Sequence, residues 1–122
     1  RETVAESIQV GNPASLGWRA LAALRESKGA AVALSDEEIL EAQALTGSLA
    51  GIFAEPAGAI SVAAAKKLRC TGVIERDDLV VCNLTGHGLK QPEAIQIKES
   101  ELAPIAPTLE ALKNQIASVK DR

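Results

Sequence analysis

Thr85-Gly86-His87-Gly88 sets a hydroxyl, an imidazole and two glycines in four consecutive positions, directly after the apolar run at residues 79–84. The hydroxyl can donate or accept a hydrogen bond, and glycines let backbone amides approach a ligand closely. A ligand-holding loop fits this group, and so does a plain strand-to-loop turn, which would use the same glycines. His87 is the only histidine. It has no Cys or carboxylate at ligand spacing to make a metal site, and no Ser or Cys nucleophile pairs with it, so its ordinary reading is structural or solvated. Glu55 stands between Ala54 and Pro56. It is either a routine helix N-terminal carboxylate, which the helix dipole alone favours, or a partly buried acid facing a site.

The elements that must position these groups alternate in type. Residues 2–13 mix a short alternating segment with a Gly-Asn-Pro turn, where Pro13 biases Asn12 out of the helical region. Leu16, Ala20, Leu21 and Leu24 recur at helical spacing, and Lys28-Gly29 offers a basic last turn and a C′ glycine. Residues 30–34, "AAVAL", read as a short strand covered on both faces. Ser35-Asp36-Glu37-Glu38 is a capping-box start for a helix running to about Thr46. Pro56 suits the first turn of a further helix that Gly72 ends. After the apolar run at 79–84 the chain turns irregular or edge-like, broken by Pro92, Pro104 and Pro107. Leu109, Leu112, Ile116 and Val119 then form one face of a last helix. This order predicts an α/β fold with a small parallel sheet flanked by helices. Two strands leave long open edges, so the missing strands are expected from another part of a longer chain or from a second copy. In such sheets ligands sit beyond the carboxyl ends of the strands, which is where Thr85 stands.

At 122 residues one core is expected, built from Leu, Ile, Val and Ala because the chain has one Phe, one Trp and no Tyr. The net charge of −3, with no basic stripe, argues against nucleic acid. No apolar run is long enough for a membrane helix and no leader pattern opens the chain, so the expectation is a cytoplasmic protein. Cys70 and Cys82 read as reduced structural thiols. A chain that begins at Arg1 and has no Met reads as an internal or C-terminal piece of something longer.

Three segments in order, "ETVAESIQVGNPAS", "FAEPAGA" and "VVCNLTGHGLKQP", resemble the C-terminal part of threonine synthase, a pyridoxal-phosphate enzyme of the tryptophan-synthase-β-like fold, fold type II. The likeness runs from Glu2 to Pro92. It implies that residues 1–92 are the C-terminal part of a catalytic domain and that 93–122 are a variable tail with a terminal helix. "EPAGA" is shared with threonine dehydratase and serine racemase. "TGHGLK" discriminates, since the dehydratase branch resembles a serine followed by glycines and Asn at that strand end. A fragment of such a dehydratase or racemase is the alternative within the fold, and a non-catalytic assembly module is the alternative outside it.

The resemblance implies that Thr85 sits against the pyridine nitrogen of the cofactor as a neutral hydroxyl partner, which moderates the ring's strength as an electron sink. It further implies a homodimer that converts O-phosphohomoserine and water into threonine and phosphate. The Schiff-base lysine and the two phosphate-binding loops would lie upstream. This chain carries no "SSGNTS"-like or "GGGGN"-like segment, and Lys28, Lys66, Lys67 and Lys90 stand in polar or helix-end contexts. The isolated piece is therefore expected to be inactive, completed by the remainder of its own chain. No roles follow from the sequence for Asn12, Glu55 or His87.

Overall fold

The computed structural model describes residues 2–13, 15–95 and 104–120. Four α-helices follow in order: α1 (Ser15–Ser27), α2 (Asp36–Ala50), α3 (Pro56–Cys70) and α4 (Leu109–Lys120). Short 3-10 turns stand at Glu6–Ile8, Gly88–Lys90 and Pro92–Ala94.

Local chemistry sets the helix ends. Ser35 accepts a hydrogen bond from the Glu38 N–H, while the Glu38 carboxylate accepts from the Ser35 N–H at 2.7 Å, a complete capping box. α2 runs beyond Thr46 to Ala50, and Gly51 stops it at φ 66°. Pro56 opens α3, and Gly72 follows it at φ 76°. At the end of α1 the left-handed residue is Lys28 (φ 53°) and not Gly29. The Lys28 N–H donates to the Arg25 carbonyl and the Gly29 N–H to that of Leu24, so the Schellman turn closes one residue earlier than the glycine suggests.

α2 and α3 form the packed pair. Ala42, Ala54, Ala59 and Ala63 make its core, with Leu34, Val62 and Leu84 laid against them. Small side chains let the two helices come close, but each buried methyl contributes only about 0.8 kcal/mol. Ile39, 3% exposed, is the one buried aliphatic side chain larger than Ala among the described residues, and the Pro56 ring at the start of α3 is fully buried as well. α1 holds its predicted span, yet Leu16, Trp18 and Leu21 on it are all exposed.

The expected parallel sheet is not seen among the described residues. Among the described residues there is no strand, only an isolated antiparallel bridge between Ala54 and His87. Residues 30–34 and 79–84 do keep a two-residue rhythm of burial: Val32 and Leu34 turn in, as do Cys82 and Leu84, while their neighbours face out. Both runs lie along the α2–α3 pair and are held there by side chains. The Lys67 ammonium donates to the Ala33 carbonyl at 2.9 Å, and the Ser61 hydroxyl donates to the Asn83 carbonyl at 3.1 Å. Extended backbone becomes a strand only by pairing, and neither run has a ladder partner among the described residues. Leu79, 96% exposed, and Val81 stand fully outward.

The Glu38 carboxyl is held below its ordinary value of 4.5, first by the Ser35 N–H and then by the Lys67 ammonium, 2.9 Å away. A group lowered in the folded state stabilises fully above its unfolded value and loses that contribution as pH falls through the folded one. The stability difference between the native chain and Glu38→Gln is therefore expected near neutrality and to close below about pH 4.5. Ser35→Ala should cost about 1 kcal/mol. Urea unfolding at pH 7 and pH 3 checks both, and a Glu38→Gln difference that persists at pH 3 would rule out the linkage.

Candidate functional site

The start of α3 and the Thr85–Gly88 loop are clasped together. The Glu55 N–H donates to the Gly86 carbonyl at 3.0 Å and the Gly88 N–H donates to the Phe53 carbonyl at 2.8 Å, on either side of the Ala54–His87 bridge. Residues 53–55 are held in turn from α2, where the buried Gln43 amide donates to the Ala54 carbonyl at 2.8 Å. From the other side, Gln91 Nε2 donates to the Val4 carbonyl at 2.9 Å and ties in the N-terminal segment. Three stretches far apart in sequence thus meet at the N-terminus of α3.

Glu55 stands at the centre of this junction and is 5% exposed. It occupies the N-cap position of α3 without capping it through its side chain. The carboxylate lies instead over Gly86, where a Cβ would fall 2.0 Å from Glu55 Cδ. Ser7 Oγ donates to Oε1 at 3.5 Å, and Lys90 Nζ stands 3.9 Å from Oε2. Both contacts are long, so packing against Gly86 and the positive end of α3 hold the acid more than either partner does.

Thr85 is exposed, and no hydrogen bond to its hydroxyl is made by another described residue. Its backbone N lies against the first turn of α3, 3.5 Å from where a Cβ on Gly58 would be. The clasp therefore presents an open hydroxyl on a fixed backbone, one residue from a buried carboxylate. His87 is exposed and structural in role: its Nδ1 accepts from the Leu89 N–H at 3.1 Å, and its ring meets Phe53 edge-on at 5.5 Å. Cys70 and Cys82 are free thiols, with Cys82 Sγ donating to the Ser61 carbonyl at 3.6 Å. Among the described residues no His, Cys, Asp and Glu cluster could hold a metal.

The sequence singled out Thr85 and Glu55 separately, and the structure brings them to one junction. Ser7, Phe53 and Gln43 were not legible as its neighbours, because each contact depends on long-range packing. The two glycines also serve differently from the expectation. Gly86 makes room for the Glu55 carboxylate, and Gly88 for the Phe53 ring, 2.1 Å from where its Cβ would be.

The family described as pyridoxal-phosphate dependent enzymes matches residues 1–86, and the chain belongs to it. Curated relatives named threonine synthase bear out the resemblance read from the three motifs. The chain is 51% identical over 100 residues to that of Methanocaldococcus jannaschii, covering 82% of this chain and 24% of the relative. It is 45% identical over 115 residues to that of Methanosarcina acetivorans, covering 94% and 28%. Against that of Mycobacterium tuberculosis it is 42% identical over 105 residues, covering 85% and 29%. The chain thus spans about a quarter to a third of the length of these relatives.

The Thr85 hydroxyl is an exposed, neutral hydrogen-bonding group, and no other group on the loop claims it. The described residues include no run of glycine amides or basic side chains that would cradle the phosphate.

Proposed function

We propose that this chain is the C-terminal part of a threonine synthase, residues 1–92 belonging to its catalytic domain and 93–122 to its tail, in a cytoplasmic homodimer. The whole protein converts O-phosphohomoserine and water into threonine and phosphate. The single observation that supports the reading most is the Thr85 hydroxyl, open to solvent on a loop that the buried Glu55 and the Ala54–His87 bridge hold in place. Bound pyridoxal phosphate supplies the electron sink; this chain supplies a neutral hydrogen-bonding group for its ring nitrogen. Because the hydroxyl carries no charge, it orients the ring without fixing a proton on it. The Schiff-base lysine and the phosphate loops belong to the remainder of the polypeptide. The 122 residues alone are expected to give no turnover and at most weak cofactor binding, read from the cofactor's absorbance during titration.

The test is phosphate release from O-phosphohomoserine by the whole polypeptide loaded with pyridoxal phosphate, native and Thr85→Val. Loss of one hydrogen bond of about 1 kcal/mol lowers kcat about fivefold to tenfold with KM little changed, and Thr85→Ser retains most of the rate. No phosphate release by the native protein would remove the assigned reaction. A Thr85→Val variant with the native kcat would remove the residue's role and leave the reaction standing.

A further inference from the structure

We propose that Gly58 is a positioning residue for the Thr85 hydroxyl: its bare Cα sets how closely the Thr85–Gly86 peptide seats on the first turn of α3. The inference rests on the reading of Thr85 as the partner of the cofactor's ring nitrogen. Gly58 is buried at the third residue of α3, where a glycine weakens the helix relative to alanine. What the missing side chain gains is a close approach of backbone. A Cβ there would lie 3.1 Å from the Gly86 carbonyl oxygen, 3.2 Å from the Gly86 nitrogen and 3.5 Å from the Thr85 nitrogen, all main-chain atoms that no side-chain rotation can move aside. Gly47 of α2 is the contrast, with nothing within 4 Å of its Cβ position.

The loop is pinned on the side away from Thr85. The Gly86 carbonyl accepts from the Glu55 N–H at 3.0 Å, the Glu55 carboxylate fills the space at the Gly86 Cα, and the Gly88 N–H donates to the Phe53 carbonyl at 2.8 Å. A side chain at position 58 makes contacts tighter than ordinary van der Waals packing, so the peptide must give by a few tenths of an ångström. With residues 86 and 88 fastened, the shift is passed to Thr85. A group that assists a reaction has to be held within about 0.5 Å of its productive place, so a displacement of that order weakens the hydrogen bond its hydroxyl makes. Glu55 and Gly58 thus act on one peptide, the acid at the Gly86 Cα and the helix backbone at the Thr85–Gly86 link.

The whole polypeptide tests it as the native protein, Gly58→Ala, Thr85→Val and the double variant. With pyridoxal phosphate bound, Gly58→Ala is expected to lower kcat about threefold to tenfold with KM little changed, and by no more than Thr85→Val does. In the Thr85→Val background it should cost less than about 1.5-fold further, because the group it misplaces is gone. Titration of the cofactor-free protein with pyridoxal phosphate, followed by absorbance, should show a Kd raised about threefold to tenfold. The urea midpoint should stay near the native one, since the helix gain of alanine offsets the tight contact. Gly58→Ala with kcat and Kd both native, beside an impaired Thr85→Val, would overturn this inference alone. Equal losses of kcat in both backgrounds would overturn it as well, because the effect would bypass the hydroxyl. So would loss of the folded circular dichroism spectrum, which would make Gly58 a requirement of the fold. No phosphate release by the native protein, or a native kcat in Thr85→Val, would instead remove the reading beneath it, and the inference with it.

Discussion

Gly86→Ala is expected to destabilise the protein by about 1–3 kcal/mol, the cost of forcing an extra carbon into a filled space. The new Cβ would lie 2.0 Å from Glu55 Cδ and Oε1 and 2.6 Å from Cγ. The loop has little room to retreat. Its Gly86 carbonyl accepts from the Glu55 N–H, and its backbone already sits 3.1 Å from where a Cβ on Gly58 would be. The carboxylate must therefore move, and it is 5% exposed with Ser7 and Lys90 as its only polar partners among the described residues. Denaturant unfolding of Gly86→Ala, Glu55→Ala and the double variant separates this account from a general dislike of side chains in the loop. If the clash is with Glu55, removing that side chain relieves it, and the two costs fail to add by at least about 1 kcal/mol. Costs that add to within about 0.5 kcal/mol would show the two residues to be independent. Gly47→Ala is the control: nothing stands within 4 Å of its Cβ position, and inside α2 an alanine should stabilise by about 0.5–1 kcal/mol.

The helices were legible because their signals are local. Ser35 with Glu38, Pro56 and the spacing of Leu109, Leu112 and Ile116 each act within one or two turns, and each marks an observed element. Lys28 shows the limit of the same reasoning, since a glycine next door is no guarantee that the glycine takes the left-handed position. The runs at 30–34 and 79–84 were read as strands from their apolar character. Their alternating burial agrees with extended backbone, but a sheet is a relation between segments, and a local pattern carries no information about the partner. Much the same holds at the site. Thr85 and Glu55 drew attention by residue type and by position beside a run or a helix start. That the carboxylate would lie on Gly86, and that Gly88 would make way for Phe53, depends on how the α3 start meets a loop some thirty residues later.

Ile39→Ala should be among the most damaging single truncations in the described residues, at about 2–4 kcal/mol. Ile39 is 3% exposed, the largest buried aliphatic side chain among the described residues. The cost rises with the volume of the cavity that fails to collapse. The consequence reaches the site through one link: α2 also carries Gln43, whose amide holds the Ala54 carbonyl beside Glu55. Loosening α2 should release residues 53–55 before the rest of α3, and with them the Gly88–Phe53 and Glu55–Gly86 hydrogen bonds. Amide exchange of Ile39→Ala is expected to speed at Glu55 and Gly88 by more than at mid-α3 residues such as Ala63. Leu49→Ala, at a side chain 82% exposed on the same helix, should leave both stability and exchange nearly unchanged. A uniform increase of exchange along α3 would mean that α2 supports the whole helix alike and that Gln43 is no special tether of the site. An increase confined to the clasp would make the α2 core, through Gln43, what holds the Thr85 loop against α3.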